Sequence, residues 1–191
     1  MRLYAIRHPQ PMGAEGLCYG QSDLAISPDD LRATAAKLQG LLVDKPIDCW
    51  LSSPLQRCEQ LARTLTDDFR CDDRLLEMHF GEWESLSWDD IDRQAFDDWM
   101  VDYVNQAPPG GESFGAVQRR VTELLAELKA SGLTGEAGVA LVTHGGVIRS
   151  LLAELLEIPV ESTWHFSVGY GSLLEFEVGE LAYQNRLLGM L

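Results

Sequence analysis

The sequence lacks long apolar segments and paired cysteines. No apolar run approaches the ~20 residues of a membrane span. The first residues do not form the basic segment and long apolar stretch of a signal peptide. The cysteines show neither a CxxC pair nor a paired spacing with histidine, and they are Cys18, Cys49, Cys58 and Cys71. We therefore expect a cytoplasmic protein whose cysteines are small buried apolar residues in a reducing compartment.

Positive charge is also scarce. Lysine and arginine number 15 against 30 aspartates and glutamates, which gives a formal net charge of -15. This charge disfavours nucleic acids and anionic membranes as partners. A small anionic substrate would need a locally cationic pocket. Arginines near a candidate site are therefore stronger evidence for such a pocket than they would be in a neutral protein. The 191 residues, 46% of them hydrophobic, suffice for a full core, and we expect one domain over residues 1–191.

Short apolar runs alternate with helical patterns along the chain. The runs at 3–6, 47–51 and 139–142 have the length of buried strands. Ser27 and Ser53 each precede a proline and are typical caps of helices that start at Pro28 and Pro54. Further predicted elements are an extended segment at 74–77, helices within 87–104, at 112–131 and at 147–156, a helix end at Gly132 and Gly135, and a hairpin of 172–178 with 181–187.

Histidines and arginines occur where the predicted strands end. Arg7 and His8 directly follow the first strand, and His144 follows the strand at 139–142. Arg57 lies about one turn into the helix after the second strand. Each residue alone also fits an ordinary strand end or a surface arginine. Because ligands of open α/β sheets bind at the carboxyl ends of strands, four such residues at matching positions favour one anionic site.

This set of side chains suits phosphoryl transfer. Arginine forks match phosphate bidentately, and the transition state spreads charge over the equatorial oxygens. His8, held beside arginines, should stay neutral and nucleophilic at pH 7. A carboxyl group must then protonate the leaving oxygen, and Glu77, Glu82 and Glu84 are candidates.

Residues 77–111 form an aromatic and acidic insertion that would suit a lid over the site. Trp83, Trp88 and Trp99 offer a stacking surface for a planar base. Aromatic residues of such a segment more often pack onto their own domain than onto a substrate.

A metal site is an alternative for the same region. His79 could ligate a metal together with Glu77 or Glu82. No tight ligand spacing supports this interpretation, and two cations in the pocket oppose it.

At this point the sequence resembles the histidine phosphatase (phosphoglycerate mutase-like) superfamily over nearly its whole length. The motifs that carry the resemblance are Arg7-His8, SSPLQRC at 52–58, LEMHFGEWE at 76–84, PGGES at 109–113 and VTHGG at 142–146. The resemblance implies an α/β three-layer sandwich with a mostly parallel mixed sheet and a site at the strands' carboxyl ends. It also implies that no metal or other cofactor is needed.

The resemblance implies a role for each candidate residue. His8 would be the nucleophile that becomes phosphohistidine, and Arg7, Arg57 and His144 would bind the phosphoryl oxygens. Glu77 would protonate the leaving group and then activate water, with Glu82 as its main rival. We further expect substrate contacts from three residues, namely Tyr19, Gly20 and Gly145.

Two departures from the family pattern concern the loop after the nucleophile. Pro9 stands where glycine is usual, and Ala14 lies near the place of a common asparagine. Pro9 together with the loop at 17–24 resembles the α-ribazole phosphatase branch of cobalamin synthesis. The sequence thus predicts a phosphomonoesterase acting on a small phosphorylated metabolite, with α-ribazole 5′-phosphate as a candidate.

Three other functions fit the same residues. A mutase would use the same pocket for isomerisation, but mutases generally carry longer insertions that exclude water from the phosphoenzyme. A broad-specificity phosphatase would act on many monoesters. A non-catalytic binding protein on the same fold is the remaining alternative, and the sequence does not indicate an oligomeric state.

Overall fold

The computed structural model describes residues 1–133 and 137–191, and a six-stranded sheet organises them. The strands are β1 Arg2–Arg7, β2 Cys49–Ser52, β3 Arg70–Cys71, β4 Gly138–Thr143, β5 Leu173–Glu177 and β6 Arg186–Met190. Their order across the sheet is β3-β2-β4-β1-β5-β6. The pairs β3–β2, β2–β4 and β4–β1 are parallel, whereas β5 and β6 join antiparallel. The sheet is therefore mixed and mostly parallel, as predicted.

Helices cover both faces of this sheet. The α-helices are α1 Pro28–Leu42, α2 Gln56–Leu65, α3 Arg93–Val101, α4 Phe114–Ala130 and α5 Gly145–Leu156. Short 3-10 turns lie at Asp73–Leu75, Gly81–Trp83, Trp88–Asp90, Val160–His165 and Ala182–Gln184. No helix in the described part of the chain is both long and apolar enough to cross a membrane.

Alternating side chains of the central strands separate two hydrophobic cores. Tyr4 and Ile6 of β1 face the core formed with α1 and α2, whereas Leu3 and Ala5 face the core formed with α4 and α5. Successive strand residues point to opposite faces of the sheet. An apolar run of four residues therefore contributes side chains to both cores. The three-layer α/β arrangement confirms the expected fold class.

Serine caps define the starts of two helices, and the one at Ser27 confirms a prediction. The Ser27 side chain accepts from the amide of Asp30, with Pro28 at the first helical position of α1, and Ser113 caps α4 in the same way. The prediction that Ser53 caps the next helix is wrong. α2 begins at Gln56 with Leu55 at the N-cap position and no side-chain cap, and the Ser53 hydroxyl bonds to a histidine of the site described below.

Other segments differ from their predicted form. The extended segment expected at 74–77 begins inside the 3-10 turn Asp73–Leu75, where the side chain of Asp72 accepts from the amide of Arg74. The pattern within 87–104 resolves into a 3-10 turn and α3. The hairpin's second strand starts at Arg186, because a 3-10 turn occupies Ala182–Gln184. Gly132 adopts a left-handed φ of 80° after α4, and Gly135 lies outside the described residues.

The cysteines only partly match the expectation that all are buried. Cys18 and Cys58 are buried and Cys49 is half-buried, but Cys71 is exposed. Cys71 lies on β3, a two-residue strand at the edge of the sheet. All four thiols are free.

Candidate active site

The carboxyl ends of β1, β2 and β4 meet at one edge of the sheet. The register pairs Arg7 with Thr143 and Ser52 with Val142, so the residue after each strand lies beside its counterparts. These residues are His8, Ser53 and His144. The topology therefore brings together side chains that are up to 136 positions apart in the sequence.

His8 is held in place by backbone groups. Its amide donates to the carbonyl of Thr143 over 3.0 Å, and its ring Nδ1 lies 2.6 Å from the carbonyl oxygen of Pro9. Because a carbonyl only accepts, Nδ1 carries the proton and Nε2 keeps its lone pair. Burial and the nearby Arg57 and Arg7 lower the pKa of His8 well below 6.5, although the bond to Pro9 opposes this shift. His8 is therefore a neutral imidazole with a nucleophilic nitrogen.

His144 is buried beside His8, with 4.9 Å between the ring centroids. Arg57 Nε donates to His144 Nδ1 over 3.2 Å, so this nitrogen accepts. The other nitrogen, Nε2, lies 2.8 Å from the Ser53 hydroxyl oxygen and donates to it. Burial, followed by His8 and Arg57, lowers the pKa of His144 well below 6.5. The second histidine is thus also neutral, and its Nδ1 lies next to a guanidinium.

Arg57 is fully buried, with 0% of its surface exposed. Its Nη1 donates to the carbonyl of Ser22 over 2.8 Å, and its Nη2 donates to the carbonyl of Gly20. Both carbonyls belong to the loop before α1, and the ring of Tyr19 lies 5.3 Å from the guanidinium carbon. The loop therefore fixes the orientation of the guanidinium.

Arg7 occupies the other side of His8. Its Nη1 donates to the carbonyl of Val168 over 2.5 Å, and its guanidinium carbon lies 4.0 Å from the centre of the Tyr170 ring. Its buried Nε has no acceptor among the described residues. This nitrogen is therefore a buried donor without a partner, which is unusual in a folded protein.

Neither arginine has a carboxylate partner among the residues that the structure describes. The ion pairs found in residues 1–133 and 137–191 involve other arginines and Lys45. A buried cation is costly unless it is paired, and this chain carries twice as many acidic as basic residues. The two guanidiniums, without carboxylate partners in the described residues, therefore favour a negatively charged group near His8.

Glu77 places its carboxylate at the start of α5. Its Oε2 accepts from the amide of Gly146 over 3.0 Å, and its Oε1 accepts from its neighbour Met78 over 2.9 Å. Arg120 donates to the backbone carbonyl of Glu77 over 3.2 Å and pairs with Glu112 over 2.9 Å. The carboxylate position thus depends on a helix N-terminus and on a braced backbone.

The other two candidate acids lie elsewhere. Glu82 is exposed and lines no part of the cavity that contains His8. Glu84 accepts from the amides of Gly20, Gln21, Ser22 and Phe80 and from the Ser22 hydroxyl. Burial alone would raise the pKa of Glu84, but these hydrogen bonds together lower it. Glu84 is therefore an ionised anchor of the loop rather than a proton donor.

The three expected substrate contacts have different surroundings. Tyr19 and Gly145 line the cavity, and the Tyr19 hydroxyl lies 2.7 Å from the hydroxyl oxygen of Tyr170. Gly20 does not line it. An added Cβ at Gly20 would lie 1.8 Å from the carbonyl oxygen of Met78. Gly20 thus permits a close approach of two loops and holds Arg57 through its carbonyl.

Arg7, His8 and Glu77 line a cavity of about 530 Å³, and a wall of aromatic side chains forms much of the rest of its lining. One part of its lining is polar or charged and consists of Arg7, His8, Glu77 and Arg149. The larger part is apolar or aromatic, including Phe80, Trp88, Phe96, Trp99, Met100, Tyr103, Trp164 and Tyr170. The cavity therefore combines an anion site with space for an apolar or planar group.

The segment 77–111 forms part of this wall, but only two of its three tryptophans line the cavity. Trp83 is buried and packs against Phe96 and Trp99, so it offers no stacking surface. Trp88 and Trp99 line the cavity. Motion of this segment as a lid stays a prediction.

Sequence reasoning missed three groups of the site. Arg149 is the single basic residue in the apolar helix α5, which is a signal that could have identified it. Trp164 and Tyr170 lie between α5 and β5 in segments without a recognisable pattern. The context of Ser53 predicts a helix cap and gives no sign of its bond to His144.

The described residues contain no group of three or more histidine, cysteine, aspartate or glutamate side chains arranged to hold a metal ion. His79 contributes its backbone amide to the carboxylate of Glu112 over 3.0 Å. Its backbone therefore helps to position the loop that carries Glu77.

Known proteins match this chain over most of its length. The family model described as the histidine phosphatase superfamily (branch 1) matches residues 3–189. Adenosylcobalamin/alpha-ribazole phosphatase of Salmonella typhimurium is 31% identical over 188 residues, which is 94% of this chain and 92% of that protein. Glucosyl-3-phosphoglycerate phosphatase of Mycobacterium tuberculosis is 35% identical over 185 residues, which is 90% of this chain and 82% of that protein.

Solved structures show the same similarity. The alpha-ribazole phosphatase from Shigella flexneri superposes with a TM-score of 0.85 at 30% identity, covering 98% of this chain and 94% of that one. A mycobacterial glucosyl-3-phosphoglycerate phosphatase in complex with inorganic phosphate gives a TM-score of 0.83 at 31% identity, covering 97% of this chain and 94% of that one.

Proposed function

Since the chain belongs to the histidine phosphatase superfamily, branch 1, we propose that it hydrolyses phosphomonoesters through a phosphohistidine formed on His8. One observation carries this proposal. The neutral His8 lines a cavity together with Arg7, and Arg57 is buried behind this lining. Both guanidiniums lack carboxylate partners in the described residues. This arrangement attracts a phosphoryl group and presents a nucleophile to it.

Arg7, Arg57 and His144 would bind the phosphoryl oxygens. Arg7 has an unused buried Nε, and Arg57 Nε donates to His144 Nδ1 over 3.2 Å. A bound dianion would favour protonation of His144 at Nδ1, because it offsets the nearby positive charge. Arg57 and His144 would then both donate to the substrate.

In the first step, the Nε2 lone pair of His8 forms a bond to phosphorus as the ester P–O bond breaks. The positive charge that develops on the ring is stabilised by the Pro9 carbonyl, which accepts from Nδ1 over 2.6 Å. Glu77 in its protonated form gives its proton to the leaving oxygen. The alcohol departs, and the phosphoryl group stays on His8.

In the second step, water attacks phosphorus and breaks the N–P bond. The Glu77 carboxylate accepts the proton of the water, and His8 returns to its neutral form. Glu77 is the sole carboxylate among the described residues that line the cavity, which supports it over Glu82 in this role. Inorganic phosphate leaves, and Glu77 is protonated again for the next cycle.

We propose a small phosphorylated metabolite as the substrate, with α-ribazole 5′-phosphate as the first candidate. The aromatic wall of the cavity supports a planar leaving group, and similar proteins carry the name alpha-ribazole phosphatase. The four free thiols and the net charge of -15 support a cytoplasmic protein that binds neither nucleic acid nor membranes.

The nucleophile is tested by trapping the intermediate. Enzyme mixed with substrate and quenched within the first turnover should carry acid-labile phosphate on His8, detected by mass spectrometry of its peptides under neutral conditions. His8→Gln should abolish it, whereas His165→Gln, an exposed histidine outside the cavity, should retain it. Turnover by wild type without phosphate on His8, or turnover by His8→Gln, contradicts the mechanism.

A substrate panel tests the reaction type and the leaving group. We expect α-ribazole 5′-phosphate to release inorganic phosphate faster than 3-phosphoglycerate, sugar phosphates and p-nitrophenyl phosphate. Isomerisation of 3-phosphoglycerate without phosphate release would indicate a mutase. Equal rates on all monoesters would indicate a broad-specificity phosphatase, and no turnover of any would indicate a binding protein.

A further inference from the structure

Trp164 is an unusual feature of the cavity. It lies in the 3-10 turn Val160–His165 and lines the cavity, yet 63% of its surface is exposed. Exposed tryptophans at a concave site commonly mark recognition surfaces, because the large ring loses much free energy by facing water. The exposed ring of Trp164 is therefore available to contact a ligand.

Two contacts hold Trp164 in one orientation, and a third holds its partner Arg149. The guanidinium carbon of Arg149 lies 3.9 Å from the centre of its ring. Its Nε1 donates to the hydroxyl of Tyr103 over 3.4 Å. Arg149 in turn donates from Nη1 to the carbonyl of the buried Thr163 over 2.6 Å. The stacked pair of Arg149 and Trp164 is thus fixed before a ligand binds.

Arg149 carries a planar cation without a carboxylate partner in the part of the chain that the structure describes. Burial, together with the charge of Arg7, lowers its pKa. A guanidinium stacked on an indole presents a flat cationic surface, which suits a heteroaromatic ring rather than an aliphatic chain.

The position of the pair relative to the anion site fits one kind of substrate. Arg149 lies four residues after Gly145 on α5, or about 6 Å along the helix axis at 1.5 Å per residue. Gly145 lies close to the guanidinium of Arg7. A Cβ added at Gly145 would be 3.4 Å from the Cζ of Arg7. Because Arg7 and Arg149 line the same cavity and are linked by this short stretch of α5, we expect one sugar ring to suffice between a phosphoryl group at Arg7 and a base at Arg149.

We propose that Arg149 and Trp164 form a stacking platform for the planar heteroaromatic base of a nucleoside 5′-monophosphate-like substrate. This inference rests on the proposed phosphomonoesterase function and names its substrate class. The platform would select the base and leave the phosphoryl chemistry to His8 and its neighbours.

The test compares two substrates that differ at C1 of the ribose. α-Ribazole 5′-phosphate carries a benzimidazole, and ribose 5-phosphate carries none. The measured quantity is the ratio of their kcat/KM values. Trp164→Ala should lower this ratio about 5- to 150-fold, the range found when an aromatic stacking partner is removed, and mainly through KM of the base-bearing substrate. Trp164→Phe should retain most of the ratio.

Two further variants separate stacking from structural damage. Tyr183→Ala removes an aromatic residue that is 77% exposed and lies outside the cavity, and it should leave the ratio unchanged. Arg149→Met should lower the ratio, and the double variant with Trp164→Ala should lower it no further than the larger single effect, because both residues act as one surface. An unchanged ratio in Trp164→Ala, or an equal loss for both substrates, overturns the platform.

A binding measurement keeps this test independent of turnover. Calorimetry on His8→Ala should show tighter binding of α-ribazole 5′-phosphate than of ribose 5-phosphate, and Trp164→Ala in that background should remove the difference. Equal affinities overturn the platform even if the wild type hydrolyses both compounds. Absence of hydrolysis together with base-dependent binding would instead refute the proposed function and retain the platform.

Discussion

Replacing Glu84 by glutamine should weaken both the fold and the anion site. The carboxylate accepts five hydrogen bonds, three from the backbone amides of residues 20–22, one from the amide of Phe80 and one from the hydroxyl of Ser22. The same loop presents the carbonyls that hold Arg57. Glu84 therefore acts on the anion site through Arg57, as a positioning residue.

The expected loss of stability follows from the number of hydrogen bonds that each oxygen of Glu84 accepts. Each oxygen of Glu84 accepts from at least two groups, so the NH₂ of a glutamine in either orientation meets two donors and loses both bonds. Hydrogen bonds to charged groups contribute about 1.5 kcal/mol or more each, which predicts a loss of about 3 kcal/mol in the free energy of unfolding. A domain of this kind has a total of about 5–15 kcal/mol, so the variant should still fold at 25 °C.

Urea denaturation and phosphate inhibition measure the two consequences. Glu84→Gln should lower the urea midpoint at pH 7 and raise the Ki of inorganic phosphate. Glu82→Gln, an exposed carboxylate two residues away, should change the free energy of unfolding by less than about 0.5 kcal/mol and leave turnover intact. Equal effects of the two substitutions would refute the loop-anchoring role of Glu84.

The pH dependence provides a second check on the same residue. The pKa of Glu84 is lowered in the folded protein from 4.5. A lowered pKa contributes stability that is present above the unfolded value and is lost as pH falls through the folded value. The stability difference between wild type and Glu84→Gln should therefore be full above pH 4.5 and shrink below it, and a difference that grows towards acid would contradict the assignment.

Three other perturbations test the site itself. Arg57→Met should lower kcat about 100- to 1,000-fold, the usual effect of removing one preorganised donor to a developing anion; a loss under tenfold in stopped-flow assays would refute its phosphoryl contact. The ring of His8 should titrate well below pH 6.5 by NMR and shift upward when inorganic phosphate is added; a free-protein value at or above 6.5 contradicts the neutral nucleophile. Gly146→Ala places a Cβ 2.3 Å from Oε1 of Glu77 and should reduce kcat with little loss of stability. The control Gly40→Ala meets no atom within 4 Å in α1 and should keep full activity, so equal losses in the two glycine variants would exclude a specific effect on Glu77.

Local sequence patterns were sufficient for the elements that place the histidines. The apolar run before Arg7 and the run before Thr143 are too short for helices and end in polar residues, so each predicts a strand with a histidine at its carboxyl end. Ser27 with Pro28 predicts the start of α1 for an equally local reason. In each case the pattern that supports the prediction spans only a few neighbouring residues, although the strands themselves pair with distant ones.

Patterns failed where a side chain had a distant partner. Ser53 has the context of a helix cap, but its hydroxyl bonds to His144, 91 positions away. The sequence makes Glu84 a candidate acid, but in the structure its carboxylate is bound by the loop at residues 20–22. Trp83 resembled a stacking residue, yet it packs into the core. A residue type near a motif does not reveal which of its atoms a remote loop will contact.

The amino-acid sequence alone determined the parallel strands, their histidine-bearing ends and the phosphatase family, because hydrophobic period and short motifs act over a few residues. Tertiary structure alone decided that Arg57 lacks a carboxylate partner in the described chain, that Glu77 rather than Glu82 lies in the cavity, and that Arg149 stacks on Trp164. These depend on the packing of loops separated by many residues. Burial and charge compensation arise only when such loops come together.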